Sequence, residues 1–246
     1  MPAYLTFALV APLASFGSIA VGERRSGWDR PARSAVLGLI GACLGLERDD
    51  DAGQDALAAD YALALLCQSP GRLLADYHTT QVPPAKRGRR FATRAQELAV
   101  PGHELNTILS RRDYRTGAWH LGAISLRRES ARWTLEELAA AMRRPAFVPY
   151  LGRKSCPLGL PLAPRISDAP DAPVALLERQ VSGPEAPLRG VLADPVVDAT
   201  IVLDAEPPWL EDPRHLRTEL RRDQPRSRRR WQFDLREEAV LRAGSP

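Results

Sequence analysis

The chain has 246 residues, of which 44% are hydrophobic and 26% are charged, and its formal net charge is +4. This composition excludes a fibrous or wholly disordered protein and is typical of a soluble globular protein with one large core or two modest ones. All but two of the 34 basic residues are arginine. Arginine favours bidentate phosphate contacts and stacking on bases, although GC-rich coding DNA explains the same bias equally well.

Three cysteines, Cys43, Cys67 and Cys156, are widely spaced and include no C-x-x-C pair. They predict neither a disulfide framework nor a zinc site. The apolar run over residues 35–46 is shorter than the roughly 20 residues that a membrane-spanning helix needs. We therefore expect a cytoplasmic protein that does not interact with a membrane.

The first predicted elements are a strand over residues 4–10 and a buried helix over residues 33–45. The loop between them carries Ser15, Phe16 and Gly17. Ser34 is the expected N-cap of the helix, and a glycine at position 45 is expected at its C-terminal end. An anion near Arg33 and Ser34 would meet the positive end of this helix.

A short helix from about residue 54 leads into a second predicted strand over residues 61–67. A return strand from residue 71 ends with Tyr77 and His78. Residues 80–104 are rich in Pro, Arg and Gly and predict a mobile arm that contains a basic cluster at 86–90. Order resumes at 107–114, where Arg111 and Arg112 precede a tyrosine, and continues in a strand over 119–126.

A helix over residues 134–142 begins with Thr134 as N-cap and Glu137 three residues later, which is a capping box. The order β, α, β, β, α predicts an α+β fold, with a ferredoxin-like (RRM-like) domain over residues 1–160. Residues 161–246 are predicted as a smaller C-terminal region, with a loosely structured insertion, a strand over 195–203 and a basic tail. The eight arginines of the tail could bind RNA, neutralise acidic neighbours or belong to a disordered segment.

The loop after the capped helix contains Gly152, Arg153, Lys154 and Ser155 between two prolines. Glycine lets backbone amides approach a ligand closely, and the next three residues supply charge and directional donors for phosphate oxygens. The pattern indicates an anion-binding loop. A basic surface turn without a ligand is the alternative, and the loop alone favours it.

Catalytic and cofactor motifs are missing from the sequence: there is no H-E-x-x-H, no phosphate-binding P-loop and no G-x-S-x-G. We expect no cofactor and no metal. Tyr77, His78 and Lys86 could in principle form a metal-independent ribonuclease site, with a base for the 2′-hydroxyl and a cation for the phosphate. Stacking of Tyr77 and His78 on RNA is the favoured interpretation, because nothing in the sequence holds Lys86 near His78.

Five segments, taken in order, resemble the CasD family, the repeat-associated mysterious protein of the type I-E CRISPR surveillance complex, Cascade. These segments are residues 11–17, 33–39, 44–50, 76–79 and 150–158. The resemblance covers residues 1 to about 160 and resumes weakly near 229–233.

The resemblance implies a ferredoxin-like domain with a protruding thumb arm over about residues 78–115. It also implies a non-catalytic subunit that binds the 5′ handle of the CRISPR RNA, next to the backbone subunit and the large subunit that reads the PAM, with target DNA contacted only indirectly. Relatives in another subtype cleave repeat RNA, so endoribonuclease activity stays open as the alternative. The RNA-binding candidates are Ser15, Phe16, Gly17, Arg33, Ser34, Tyr77, His78, Arg111, Arg112, Gly152, Arg153, Lys154 and Ser155.

Overall fold

The computed structural model describes residues 1–18, 20, 22–85, 88, 90–193 and 198–244. The strands in these ranges are β1 (Ala3–Ala14), β2 (Arg24–Arg25), β3 (Tyr61–Ser69), β4 (Arg72–Val82), β5 (Asn106–Leu126), β6 (Arg165–Asp168), β7 (Thr200–Asp204), β8 (His215–Ser227) and β9 (Gln232–Arg242). The α-helices are α1 (Arg33–Leu44), α2 (Asp51–Asp60), α3 (Arg94–Glu97), α4 (Leu135–Arg143), α5 (Ala172–Ser182), α6 (Arg189–Leu192) and α7 (Pro207–Leu210). Single 3-10 turns cover Gly102–Glu104 and Ala186–Leu188.

All the described strands belong to one large sheet, in which only the pairing of β2 with β5 is parallel. The order is β6-β1-β5-β3-β7-β9-β8, while β4 and β2 pair with the outer half of β5. β5 has 21 residues because it serves two sets of partners: its C-terminal half lies between β1 and β3, and its N-terminal half pairs with β4. The segments predicted separately at 107–114 and 119–126 are therefore one strand, and its outer half forms a hairpin with β4 that extends past β1 and β3.

Helices cover both faces of this sheet, so the protein has a mixed α/β architecture. On one face α1 and α4 pack on β1, where Phe7 and Leu9 meet Ile40 and Leu138. On the other face Leu176 of α5 packs against strand residues that include Trp119 and Leu121. Because neighbouring strand residues point to opposite faces, β1, β3, β5, β7 and β9 each contribute to both cores.

Local sequence patterns predicted two helix ends correctly. α4 has the predicted capping box, with Thr134 and Glu137 bonded to each other's backbone N–H groups, and α1 ends at Gly45 in the left-handed conformation, φ 78°. The prediction of Ser34 as N-cap is wrong, because α1 begins at Arg33 after Ala32, whose side chain makes no cap. α2 begins at Asp51 with Asp50 as its cap, earlier than residue 54.

The predicted mobile arm over 80–104 contains more regular structure than its composition suggested. β4 continues to Val82, α3 follows a Thr93 cap, and a 3-10 turn precedes β5. Of the predicted basic cluster, residues 86, 87 and 89 lie outside the described residues.

Residues 161–246 add strands to both edges of the same sheet, so the sheet is continuous across residue 160. β6 pairs with β1 at one edge, and β7 pairs with β3 toward the other. The predicted loose insertion is wrong, because α5 packs its apolar face on the sheet within that segment. Of the strand predicted at 195–203, β7 begins only at Thr200, and residues 195–197 lie outside the described residues.

A buried network of ion pairs joins the β8–β9 hairpin to the N-terminal half of the chain. Arg30 contacts Glu238 at 2.7 Å, and Arg236 contacts Asp223 at 3.0 Å. Burial alone would lower the pKa of Arg30, but Glu238 raises that pKa above its ordinary value. The network also takes in Arg221 of the basic tail, which neutralises acidic neighbours of its own chain.

Candidate nucleic-acid interface

The loop over residues 150–157 is closed by its own backbone and locked onto the end of β1. The amide of Leu151 donates to the carbonyl of Cys156 at 2.9 Å, and the amide of Cys156 donates to the carbonyl of Arg153 at 2.8 Å. The amide of Ser15 donates to the carbonyl of Leu151 at 3.0 Å. Gly152 has φ 90°, and a Cβ at this position would overlap the backbone carbonyl of Ser15. Only glycine therefore allows the two segments to lie this close.

β5 holds both segments at the same point. The Ser15 hydroxyl donates to the backbone carbonyl of Asp113 at 3.2 Å, and the Arg153 guanidinium donates to the same carbonyl at 3.3 Å. The guanidinium also lies over the ring of Tyr114, 4.6 Å from its centroid. These contacts fix Arg153 at the base of the β4–β5 hairpin, while Lys154 and Ser155 are exposed beside it.

Strand register places four arginines at the base of the same hairpin, two on each face. β2 lies parallel to β5, which pairs Arg24 with Arg111 and Arg25 with Arg112. Tyr77 of β4 pairs with Arg111 from the other side. Arg24 is 67% exposed, and its guanidinium lies 4.0 Å from the carboxylate of Asp113. The sequence does not indicate Arg24 and Arg25 as RNA-binding residues, because nothing local shows that the loop after β1 returns as a short strand beside β5.

Tyr77 and His78 lie on opposite faces of β4, because they are consecutive residues in a regularly paired strand. Tyr77 is 64% exposed. The His78 imidazole contacts the Asp76 carboxylate, and both side chains are partly exposed. The two side chains therefore do not converge on one point, and Lys86, the third residue of the ribonuclease hypothesis, lies outside the described residues.

Two of the candidates in the first loop are buried. Phe16 is 2% exposed, and its ring packs edge-on against His120 with centroids 5.3 Å apart. In this conformation the Phe16 ring cannot stack on a base. The Ser15 hydroxyl already donates its hydrogen bond to the backbone carbonyl of Asp113. The expectation that these two side chains contact RNA is corrected to a structural role. Gly17 is exposed and has no atom within 4 Å of the position its Cβ would take.

The expected anion site at the start of α1 is filled by the protein itself. The amide of Arg33 donates to the Asp223 carboxylate of β8 at 2.8 Å. The Arg33 side chain is 3% exposed, pairs with Asp204 at 3.3 Å and donates to the carbonyl of Tyr61 at 2.8 Å. Burial lowers the pKa of Arg33. Arg33 is thus a structural cation, and the carbonyl of Ser34 accepts a hydrogen bond from Arg228. The prediction of an RNA contact at this helix end is wrong for the Arg33 side chain.

His120 was not singled out from the sequence, and it lies directly under the first loop. It is fully buried against Phe16, and neither ring nitrogen has a hydrogen-bond partner among the described residues. Burial lowers the pKa of this imidazole to about 3, so it is neutral at physiological pH. Its role is to fill space beneath the loop rather than to transfer protons.

The described residues contain neither a cluster of metal ligands nor a membrane-spanning helix. No group of three or more His, Cys, Asp or Glu side chains in these ranges is arranged to hold a metal ion. In the same part of the chain, no helix has the length and apolar character needed to cross a bilayer. The exposed groups at the site are arginine, lysine, tyrosine and serine side chains, which suit phosphate and base contacts.

The chain is similar to known proteins over almost its whole length. The family described as "CRISPR-associated protein (Cas_Cas5)" matches residues 4–237. The "CRISPR system Cascade subunit CasD" of Escherichia coli (strain K12) is 33% identical over 191 residues, which cover 74% of this chain and 80% of that protein.

Solved structures share the fold at lower identity. A chain of a "CRISPR RNA-guided surveillance complex" has a TM-score of 0.63 and 22% identity, with 97% of this chain and 89% of that chain covered. A "Crystal structure of Cas protein" has a TM-score of 0.55 and 23% identity, with 98% and 95% covered.

Proposed function

Because this chain belongs to the CRISPR-associated Cas5 protein family, we propose that it is a non-catalytic, RNA-binding subunit of a type I-E CRISPR surveillance complex, Cascade. In this proposal it binds the 5′ handle of the CRISPR RNA and caps one end of the backbone filament in antiviral defence. Its environment is the cytoplasm.

One observation carries the proposal: the Gly152 loop is locked onto the end of β1 and onto β5, at the base of a hairpin that carries arginines on both faces. The loop contributes Arg153, Lys154 and Ser155, and β2 and β5 contribute four further arginines. Strand register fixes the backbone positions of these arginines, and stacking on Tyr114 holds the Arg153 guanidinium, so less freedom is lost when they bind the phosphates of a bent single strand. Tyr77 lies beside Arg111 on one face of the hairpin and offers an exposed ring for a base.

We assign the core of the protein to the ferredoxin-like fold. The support is the strand order β6-β1-β5-β3, which is antiparallel throughout, with α1 and α2 between β1 and β3 and α4 between β5 and β6. The β4–β5 hairpin is our candidate for the thumb, a little longer than the predicted range of 78–115.

The partners in this proposal are the backbone subunit and the large PAM-reading subunit. The thumb carries exposed apolar side chains, Leu73, Leu74 and Ile108. Leu74 and Ile108 lie on the same face of the hairpin, and we expect another chain to cover that face. The neighbouring backbone subunit is the partner that we expect there.

The alternative is a metal-independent endoribonuclease that processes CRISPR repeat RNA. The contact between His78 and Asp76 favours it, because a carboxylate can orient an imidazole that acts as a base. The opposite orientation of Tyr77 argues against it, since a base and an acid must reach one scissile phosphate.

The test is binding and cleavage of repeat-derived RNA by the purified protein in EDTA. We expect the RNA with an intact handle to bind more tightly than one with a scrambled handle, and to stay uncut. Replacing both Arg153 and Lys154 with Ala should weaken handle binding at least about tenfold, because two charge-assisted contacts are lost. Arg144→Ala, at an exposed arginine after α4, is the matched control and should bind like the unmodified protein.

Three outcomes would contradict the proposal. Specific cleavage that disappears in His78→Ala would favour the endoribonuclease. Equal affinity for intact and scrambled handles, with a steep loss in salt, would indicate a general RNA-binding protein. Unchanged handle binding in the Arg153 and Lys154 double variant would show that the site is elsewhere.

A further inference from the structure

The turn of the β8–β9 hairpin presents an aromatic ring that the site described above does not use. Trp231 is 61% exposed and adopts φ 56°. The left-handed region is unfavourable for a bulky side chain, so its occupation by tryptophan is an outlier that needs support from its surroundings. Here the Trp231 amide donates to the carbonyl of Arg228 at 3.2 Å, and Phe233 packs edge-on against the Trp231 ring with centroids 5.4 Å apart.

Two guanidinium groups lie near this ring. Arg48, in the turn after α1, lies 5.1 Å from the centroid of Trp231. Arg228 lies 6.0 Å from the same ring and 5.7 Å from the ring of Phe233. Residues from two distant parts of the sequence thus form one cluster, which we call the Trp231 cluster: Arg48, Arg228, Trp231 and Phe233.

The position of Arg228 is built into the fold. Its guanidinium lies against α1, where it donates to the carbonyl of Ser34 and rests on Gly38 at 3.2 Å from the position a Cβ would take. A larger residue at position 38 would crowd the guanidinium, so glycine on this face of α1 has a specific packing role. The Nε–H of Arg228 is buried and has no hydrogen-bond partner among the described residues.

The charges of the cluster are unbalanced. In the described ranges neither Arg48 nor Arg228 forms an ion pair with a carboxylate, whereas Arg221 and Arg236 of the same hairpin are fully paired. Burial, and then repulsion from Arg48, lowers the pKa of Arg228 to about 10. Two guanidiniums held close together without a counter-charge favour an anion between them.

The acidic residues nearby do not supply that counter-charge. Asp50 is committed to the N-cap of α2, where it accepts from the amide of Gly53 at 2.9 Å, and Asp234 lies 3.7 Å from Arg226. Glu47 and Asp49 flank Arg48 in sequence and are exposed to solvent. They reduce the positive potential at Arg48, but neither of them pairs with Arg228 in the described ranges.

The Trp231 cluster and the Gly152 site contact different residues of α1, which lie about 100° apart around the helix axis. Ala35 and Leu39 of α1 line a small cavity together with Leu151 and Gly152. Ser34 and Gly38, one residue earlier on the helix, face Arg228 instead. A ligand on one surface therefore does not occupy the other.

We propose that the Trp231 cluster is a second binding site for single-stranded nucleic acid, in which a base stacks on the exposed face of Trp231 and a phosphate lies between Arg48 and Arg228. An exposed indole beside guanidiniums is the combination that binds single strands without reading their sequence, because every base has a face that stacks. Arg229 and Arg230, both exposed in the same turn, extend the positive surface along the strand.

The experiment uses the full chain and two fluorescently labelled probes of about 12 nucleotides, oligo(U) and oligo(dT), a length that suits one single-strand site. Neither probe contains a handle, so a failure of handle binding does not affect the measurement. Fluorescence anisotropy gives the affinity. We expect Trp231→Ala to weaken binding of at least one probe about tenfold or more, and Trp231→Phe to recover much of that loss. The probe that responds identifies RNA or DNA as the strand.

Arg48→Ala is the second variant, because it changes an exposed loop side chain and leaves the hairpin packing intact. It should weaken the same probe severalfold and reduce the salt dependence of binding. Leu235→Ala, at an exposed apolar residue of the same hairpin, is the matched control and should bind like the unmodified protein. Unchanged probe affinity in both Trp231→Ala and Arg48→Ala overturns the proposal. If those variants bind the probes normally and instead fail to assemble with other subunits, the cluster is a protein interface and the proposal is equally wrong.

Discussion

Gly152→Ala tests the geometry of the candidate RNA site most directly. A methyl group at this position overlaps the backbone carbonyl of Ser15, and backbone cannot move aside as a flexible side chain would. The loop must separate from β1, which breaks the 3.0 Å hydrogen bond from the Ser15 amide to Leu151. The lost bond costs about 1 kcal/mol and alanine at φ 90° adds roughly 1–3 kcal/mol, so we expect a destabilisation of about 2–4 kcal/mol.

The assay combines thermal unfolding with anisotropy of labelled handle RNA. For a chain of this size the expected loss corresponds to a fall in melting temperature of roughly 4–16 °C. Handle affinity should fall at least about tenfold under conditions where the variant is still folded, because Arg153 loses its place over Tyr114. Gly17→Ala is the control in the same site: its Cβ would have no atom within 4 Å, so we expect a change within about 0.5 kcal/mol. A Gly152→Ala protein that melts and binds like the unmodified chain would refute the reasoning.

Three further predictions concern stability. Asp223→Ala removes the buried acceptor of hydrogen bonds from Arg33 and Arg236 and should cost about 3–5 kcal/mol in urea unfolding. The pKa of His120 is about 3 in the folded chain and 6.5 in the unfolded chain. The neutral imidazole therefore contributes its full stability to the fold above pH 6.5, and this stability is lost as the pH falls toward 3. Between pH 7.5 and pH 5 we expect the free energy of unfolding to drop by about 2 kcal/mol. Thr134→Ala breaks the capping box of α4 and should cost about 1 kcal/mol in thermal unfolding.

Each of these predictions has its own control. Asp234→Ala removes an exposed partner of Arg226 and should cost less than about 1 kcal/mol of unfolding free energy. If the Asp223 and Asp234 variants lost the same amount, burial of the Asp223 ion pairs would not explain their stability. In His120→Leu the free energy of unfolding should lose most of its pH dependence above pH 5. If the slope against pH is unchanged, groups other than His120 cause the pH dependence. Thr134→Ser keeps the cap oxygen, so a serine variant as unstable as the alanine variant would show that the cap is not responsible.

The many arginines of the chain fall into two groups in the structure, one buried and one exposed. Arg30, Arg33 and Arg236 are buried partners of carboxylates and hold the β8–β9 hairpin on the sheet. Arg24 and Arg111 lie on exposed strands at the base of the thumb. Burying an arginine requires its carboxylate partner, since an isolated buried charge is very costly. The two groups differ therefore in how closely a carboxylate pairs with the guanidinium, 4.0 Å for Arg24 with Asp113 against 2.7 Å for Arg30 with Glu238, and not in anything near them in the sequence.

By itself the sequence determined the features that depend on near neighbours. Thr134 and Glu137 are three residues apart and define the start of α4, and Gly45 defines the end of α1. The glycine followed by two cations at 152–154 identified the loop chemistry, and the order of five motifs identified the family. These signals are readable because the interacting groups lie within a few residues of one another.

Only the tertiary structure decided which of the candidate side chains are exposed at the surface. Phe16 and Arg33 are buried because β5 and β8 close over them, and Arg24 joins the site because β2 pairs with β5. Arg30 and Glu238 are 208 residues apart in the chain, yet their side chains meet in the interior. Whether a side chain is exposed or paired depends on contacts of this kind, formed when distant strands enter one sheet, and no local pattern of residues records them.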